Sequence, residues 1–398
     1  MNVYLLLYND GNNVWKRHFH SELISMGHKV IVPQGLGLDV GWKYLQEGKS
    51  TRAIREQSTQ KLLADVTKLH KEGGIHLLIA MVRPFQFHPQ VFREIEHLGI
   101  PTALYECDNL NSDRVRVKLS PYFTTTGYAE EAAGALFQRS KVNSVHLPMA
   151  AAPSTFFPIP RPEVREISFV GSKNPYRRLL LGQAIERGLP IEIYGGLWHP
   201  ESDYYRLEKP VTPKASEESK QKLQERISQW LSFKVSACKD LIKFGPSIPW
   251  RRRRNAMLGL EFDETVTRAS QPASTSFERV RELYAESKVS LGINHYVPPS
   301  QDYSPTYTYA RNRDFEAPMS GACYLTEYAS ELDNYYPEPD LIWTFRSLEE
   351  LVEKANFLRS DVTTREKLRR RAYEYALKHH RWTHRFEKLF KHLGLQPI

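Results

Sequence analysis

Cysteine is scarce in this chain: three in 398 residues, Cys107, Cys238 and Cys323, far apart and in no CxxC pair. Such spacing supports neither a disulfide framework nor a cysteine-based metal site, and it points to a reducing, cytoplasmic setting. Long hydrophobic runs are missing too. VYLLLY at the start and HLLIAMV at 76–82 fall far short of the roughly 20 residues a membrane span needs. VYLLLY also lacks the basic flank and the cleavage site of a signal peptide. No HExxH, DxD or GxSxG occurs, so a zincin, a DxD metal–diphosphate site and an esterase nucleophile elbow all lack their residues. The histidine groups HFH (18–20) and HH (379–380) have no evident third ligand, so no metal site is expected.

Two near-misses narrow the field further. GWKYLQEGKS (41–50) has six residues between its glycines, where a phosphate-binding P-loop has four. GLGLDVG (35–41) is misspaced for a dinucleotide fingerprint and follows the second strand, not the first. Neither nucleoside triphosphate hydrolysis nor nicotinamide chemistry is expected.

What is present is the balance of a globular protein, 41% hydrophobic and 25% charged, at a length that favours two to three domains. The net charge of +9 favours anionic partners: nucleotides, nucleic acid or an anionic surface. Strand-like runs at 3–9, 29–34, 76–82, 101–107, 122–127 and 143–148 alternate with helical patterns near 13–26, 55–71, 89–98, 112–119 and 129–139. Several runs are apolar throughout, as in a parallel sheet covered on both faces. The alternation predicts a Rossmann-like, doubly wound N-terminal domain over 1–150. The proline-rich MAAAPSTFFPIPRPE (149–163) reads as a linker, with a hinge at 151–165. A second α/β domain is expected over 166–380, with strands at 166–172, 190–196, 288–296, 323–327 and 341–345 and a helical tail from 347 to 393. Residues 200–275 form an insertion of partly helical pattern. It carries Arg251, Arg252, Arg253 and Arg254, which are either a solvated basic patch or a contact for nucleic acid or another anionic surface.

The stretch ARNRDFEAPMSGACYLTE (310–327) carries the candidate chemistry. It follows a strand and a loop, and a helix is expected to open near Arg313, where exposed amides favour an anion. Arg313 can place a two-pronged guanidinium on phosphate oxygens, although a surface salt bridge is the alternative. Glu316 can accept hydrogen bonds from ribose hydroxyls, and Gly321 would admit a close backbone approach. Lys173, Arg177 and Arg178, in the turn SKNPYRR, are further cations for a departing diphosphate, and Gly171 is grouped with them at the donor site. Asn294 and His295 end a strand and face either a ligand or the core. For a base acting on an acceptor hydroxyl, Asp10 and Asp108 follow strands; His18 and His20 are further options.

RDFEAPMSGACYLTE, with SKVSLGINHY before it and HHRWTHRFEKLF (379–390) after it, resembles the CgeB-like, spore-maturation-protein type of glycosyltransferases related to the group 1 transferases. FVGSKNPYRRLLLGQAIERGLPIEIYGGLW (169–198) resembles the opening of that family's second domain, and LPMAAAPSTFFP (147–158) its interdomain segment. The resemblance implies a GT-B fold: two Rossmann-like doubly wound domains with an interdomain cleft, here with a helical insertion in the second domain and a helical C-terminal tail. Residues 1–150 would be the acceptor side, 166–380 the donor domain, and 381–398 a helix packing back on the first domain. It further implies transfer of a sugar from a UDP-, GDP- or dTDP-sugar to a hydroxyl of a glycan, protein or small molecule, in a hexosyltransferase-type reaction without a metal. Glu316 matches the family carboxylate on the nucleotide ribose. The glutamate that the wider GT-B group often has eight residues earlier is Thr308 here. Two other readings stay open: a sugar-nucleotide epimerase on the same fold, and a non-catalytic nucleic-acid-binding protein using the basic insertion.

Overall fold

Eleven short strands, three of them buried along their whole length, alternate with helices in a computed structural model that describes residues 1–7, 14–36, 38, 40, 43–44, 50–108, 117–198, 257–271, 276–295 and 308–395. The chain divides into two units. The first comprises Met1–Phe157, Ala310–Met319 and Glu374–Ile398; the second comprises Pro158–Tyr309 and Ser320–Tyr373.

In the first unit, β1 (Asn2–Leu7), α1 (Val14–Ser25), β2 (Lys29–Ile31), α2 (Arg52–Gly73), β3 (Leu77–Met81), α3 (Gln90–His97), β4 (Thr102–Glu106), β5 (Thr125–Tyr128), α4 (Gly134–Arg139) and β6 (Ser144–His146) follow one another. The strands form one parallel sheet in the order β2-β1-β3-β4-β5-β6, with Val3 opposite Leu77 and Leu7 opposite Met81. Every residue of β3 and β4 is buried, so both faces are covered and the uniform apolar runs are explained. Tyr4, Leu62, Val66, Leu78, Phe92 and Leu104 are among the core side chains. The run expected as a strand at 122–127 begins later: Ser120–Tyr122 is a single 3₁₀ turn and the strand starts at Thr125. Pro121, with no N–H and a fixed φ, suits that turn and not a ladder. Of the helix expected near 112–119, residues 112–116 lie outside the described residues and 117–119 form a turn.

The second unit repeats the plan with β7 (Arg165–Val170), α5 (Pro175–Glu186), β8 (Ile191–Tyr194), α6 (Asp263–Ala269), α7 (Phe277–Glu286) and β9 (Ser287–Gly292). After α8 (Arg313–Met319), which belongs to the first unit, come β10 (Tyr324–Glu327), α9 (Leu332–Tyr335), β11 (Trp343–Phe345), α10 (Leu348–Ser360), α11 (Val362–His379) and α12 (Trp382–His392). The second sheet is also parallel, in the order β11-β10-β9-β7-β8. Helix starts follow local chemistry. Asn174 caps α5 by accepting from the Arg177 N–H at 2.8 Å, with Pro175 in the first turn. Ser347 caps α10 by accepting from the Glu350 N–H at 3.2 Å.

Two segments expected in the second domain, residues 310–319 and 374–380, lie in the first unit. The boundary falls after Phe157, and residues 310–319 pack with the first unit although the sequence reading leaves them in the second domain. The reason is burial of Phe315, whose ring lies 5.2 Å from that of His380 and within 5.9 Å of the Arg385 guanidinium. The C-terminal helix α12, for which the resemblance implies packing on the first domain, lies in the first unit. Trp382, Phe386, Leu389 and Phe390 recur on one helical face and are buried. The Trp382 ring sits 4.6 Å from Phe19 and 5.3 Å from Tyr105, and Arg385 donates to the carbonyls of Pro148 and Met149 at 3.1 Å each.

Candidate functional site

Open parallel sheets take ligands beyond the carboxyl ends of their strands. In the first unit, the ends of β3 and β4 present Arg83, Glu106, Cys107 and Asp108. There a cavity of about 290 Å³ is lined by Trp15, Arg83, Cys107, Asp108, Arg311 and Arg313, among others. Two residues singled out in the sequence, Asp108 and Arg313, therefore meet at one place, where the lining among the described residues includes three guanidinium groups and one carboxylate. Asp108 sits at φ 56°, a left-handed conformation that costs a non-glycine residue free energy and recurs at functional sites.

Glu316 stands behind this cavity. It is 1% exposed. One carboxylate oxygen, Oε2, takes a hydrogen bond from the Arg313 guanidinium at 2.5 Å; the other, Oε1, lies 3.3 Å from His18 Nε2. The His18 Nδ1 accepts the Ala152 N–H at 3.1 Å, so the ring proton sits on Nε2 and is donated to Glu316. Burial pushes the Glu316 carboxyl up, but the Arg313 charge and the His18 hydrogen bond outweigh it and hold the group below the usual carboxylate range. The carboxylate expected to reach a ribose is thus turned inward. His18, considered as a base, is fully buried between Ala152 and Glu316. His20 lines a different cavity of the first unit with Lys16 and Arg17.

The remaining described candidates lie in the second unit, and most are tied to other groups. Lys173 Nζ is 2.7 Å from Asp263 Oδ1. Arg178, 8% exposed, donates to the Leu258 carbonyl at 2.7 Å and lies 3.5 Å from Asp263. Arg177 donates to the Ser172 carbonyl at 2.9 Å and to that of Ile293 at 3.4 Å. Gly171 accepts the Trp198 indole N–H at 2.6 Å and packs on Gly195, where a Cβ would fall 2.3 Å from the Gly171 oxygen. Gly321 adopts φ +69° just past α8, and the group nearest its missing Cβ is Pro158, at 3.1 Å. Asn294 spends its amide on Thr326 Oγ1 and the Glu327 carbonyl, at 3.2 and 2.9 Å.

Some residues escaped the sequence reading. Glu327, at the end of β10, accepts the backbone N–H groups of Asn294 and His295 at 3.0 and 2.7 Å and the Tyr176 hydroxyl at 2.5 Å. The Tyr176 ring stacks on His295 with centroids 4.0 Å apart, and its hydroxyl is pushed up by burial and by Glu327. Arg83 and Glu106 were missed as well, although both sit at strand ends. Asp10 and Arg251, Arg252, Arg253 and Arg254 lie outside the described residues, and with them the expected nucleic-acid contact. Among the described residues no three His, Cys, Asp or Glu side chains gather as a metal site, and no helix is long and apolar enough to cross a membrane.

Comparison with solved structures bears on the architecture directly. Sucrose-phosphate synthase from Thermosynechococcus elongatus matches with a TM-score of 0.56 at 11% identity, covering 99% of this chain and 98% of that one. A glycosyltransferase from Rickettsia africae matches at 0.55 with 9% identity, covering 99% and 97%. Anabaena HepE in complex with UDP and glucose matches at 0.54 with 12% identity, covering 99% of both chains. The fold is GT-B. Residues 236–391 also match the family described as Glycosyl transferase-like. No curated protein matches the chain.

Proposed function

We propose that the protein transfers a hexose from a uridine-diphosphate donor to an acceptor hydroxyl, without a metal, and that it is a cytoplasmic, CgeB-like member of the group 1 transferases. The observation that carries this reading is the arginine-lined cavity of the first unit, in a GT-B chain, with Asp108 at its edge. Uridine is chosen because the similar HepE is described with UDP, with UDP-glucose and with UDP and glucose.

In the proposed reaction the bond between the anomeric carbon and the diphosphate oxygen breaks, and UDP leaves with the electron pair. Arg313, with Arg311, offsets the charge that develops on it. The acceptor oxygen forms the new bond and its proton passes to Asp108 if the reaction inverts the anomeric centre. A retaining reaction would deliver that proton to the leaving phosphate, and Asp108 would be dispensable. Gly171, Arg177 and Asn294, beyond the ends of β7 and β9, are proposed as donor contacts. Lys173 is the weaker assignment, because Asp263 already occupies its ammonium group.

A thermal-shift series with UDP, GDP, dTDP, CDP and ADP tests the reading. A ligand at about a hundred times its Kd adds roughly 2.7 kcal/mol, which raises Tm by about 5–10 °C for a unit of this size. UDP is expected to shift the wild type and to shift Arg313→Ala much less. No shift with any of the five would sink the proposal. Release of UDP from UDP-glucose only when acceptor is supplied separates a transferase from an epimerase, which needs the donor alone. Activity retained after exhaustive chelation is the expected result for metal independence.

A further inference from the structure

The second unit holds a cavity of about 290 Å³ at the end of its sheet opposite the proposed donor contacts Gly171, Arg177 and Asn294. Its walls come from the segments that lead into β7, β9 and β10, and from α11. Residues 158–161 form an extended wall, where Pro158 and Pro160 have fixed φ. That wall is seated closely: a Cβ on Gly321, in the turn before β10, would lie 3.1 Å from Pro158. From α11 come Glu366, Arg369, Arg370 and Tyr373, spaced so that they share one helical face.

A basic helix face is ordinarily a solvated one, but the neighbouring cations of α11 are paired. Arg365 meets Glu163 at 2.7 Å, Lys367 meets Asp340 at 2.8 Å, and Arg371 meets Glu338 at 3.0 Å. At the cavity, Arg369 is fixed by Glu163 at 2.7 Å, by Glu366 at 2.9 Å and by donation to the Ser287 carbonyl at 2.7 Å. Arg370 and the Tyr373 hydroxyl, by contrast, engage no group among the described residues. Arg161 spends Nη2 on Glu282 at 3.1 Å, and its other N–H groups have no described partner. Glu366 gives Oε1 to Arg369, which leaves Oε2 as an acceptor. The described lining therefore carries three guanidinium groups and one carboxylate, with a donor hydroxyl and an acceptor oxygen still to be used.

We infer that this cavity binds a small phosphate monoester that also carries hydroxyl groups. Arg161 and Arg370 take the phosphate oxygens, for which a guanidinium offers parallel N–H groups. The Tyr373 hydroxyl donates to the same group, and Glu366 Oε2 accepts a hydroxyl of the ligand. A volume of this size lies at the low end for ligand sites, which suits such a ligand and not a sugar nucleotide. The inference stands apart from the proposed transferase activity, because none of these residues is among the contacts assigned to it.

The test is calorimetric titration of the full chain with ribose 5-phosphate, inorganic phosphate and ribose. Ribose 5-phosphate is expected to bind, inorganic phosphate to bind more weakly, and ribose to give no signal. Arg370→Gln should weaken ribose 5-phosphate about tenfold, the range of a hydrogen bond to a charged group, and leave UDP binding unchanged. Arg161→Gln should act similarly, and Tyr373→Phe should cost about threefold. Glu366→Ala should bring ribose 5-phosphate and inorganic phosphate to within about twofold of each other, because only the ester has a hydroxyl to donate to Oε2. Arg371→Gln removes a neighbouring charge that Glu338 already holds, and it should leave both affinities as they are. Absence of ribose 5-phosphate binding, or binding unchanged in both Arg370→Gln and Arg161→Gln, would overturn the site. An equal loss in Arg371→Gln would overturn it too, since the chain would then be responding to net charge alone. Wild-type affinity as high for inorganic phosphate as for the ester would uphold the phosphate contacts and overturn the role of Glu366.

Discussion

Two clusters of basic residues, one in each unit, differ in which partner is buried. In the second unit Lys173 and Arg178 converge on Asp263, and Arg178 also closes on the Leu258 carbonyl. The acidic partner there is about half exposed, and the Arg178 cation is the buried member. In the first unit the order is reversed, with buried Glu106 and Glu316 behind arginines that face a cavity. A cation enclosed by its partners holds chain together. Counting positive charges near strand ends does not separate these cases, and burial alone does not either, because Arg381, with a side chain 31% exposed, also pairs with buried Glu22.

The largest effect should come from removing what holds the first unit together. Trp382 is 1% exposed against Phe19 and Tyr105. Trp382→Ala is therefore expected to cost about 3–5 kcal/mol, read as a lower urea midpoint for the first unit. Its indole N–H has no hydrogen-bond partner, so Trp382→Phe should cost under about 1.5 kcal/mol. A larger loss in the Phe variant would mean that the aromatic packing has been misjudged.

Next comes the direct contrast of cations. Arg313→Ala should lower kcat/KM for sugar transfer by about 10²–10³-fold, in the range of a lost transition-state donor. Arg178→Ala should instead lower Tm, because it breaks buried hydrogen bonds, while kcat/KM changes by less than about threefold, roughly 0.7 kcal/mol. Equal losses of kcat/KM in both variants would break the comparison.

Much of this architecture was legible in the chain itself. All eleven observed strands fall on runs that read as strands, because sheets covered on both faces demand uninterrupted apolar residues. Asp108, singled out after a strand, and Arg313, singled out at a helix start, line one cavity. The inward turn of Glu316 was not legible, since its partner His18 lies 298 residues away and no local pattern signals such a meeting. Arg83 sits in a non-periodic VRP, and Glu106 reads simply as the end of a strand. The strand-end rule would have flagged both. The assignment of 310–319 went astray for a different reason: chain order places that segment between two strands of the second sheet, but Phe315 is buried in the first unit.

Acid should separate the two kinds of carboxylate. Glu316 and Glu163 are both held below the usual range. For Glu316, burial opposes the shift and Arg313 and His18 outweigh it; for Glu163, burial opposes it and Arg365 and Arg369 outweigh it. A depressed folded value means that stability is present above the unfolded value, near pH 4.5, and is lost as pH falls below it through the folded value. The stability gap between wild type and Glu316→Gln should therefore shrink as pH is lowered from 4.5, and the same holds for Glu163→Gln. At neutral pH the two must diverge: Glu316→Gln weakens UDP binding, whereas Glu163→Gln leaves it unchanged. Parallel UDP losses would show that both variants act through stability alone.

The smallest expected effect is also the sharpest test of the comparison. Lys173 lies in the turn after β7, where a phosphate-binding lysine would be placed by position alone. Its ammonium group is 2.7 Å from Asp263, and it stands 5.8 Å from the centre of the Trp198 ring. Asp263 is drawn below the usual range, first by the hydrogen bond from Lys173 and then by the Lys173 and Arg178 charges, against a smaller effect of burial. With the aspartate about half exposed, solvent screens the pair, and its contribution is about 0–1 kcal/mol. Lys173→Ala should lower Tm by no more than a few degrees and leave the UDP Kd within about twofold, or roughly 0.4 kcal/mol. Lys173→Ala and Asp263→Ala should then behave alike. If Lys173→Ala weakens UDP tenfold while Asp263→Ala strengthens it, the lysine leaves its partner for the nucleotide. The second unit's cations would then be a reserve for the ligand.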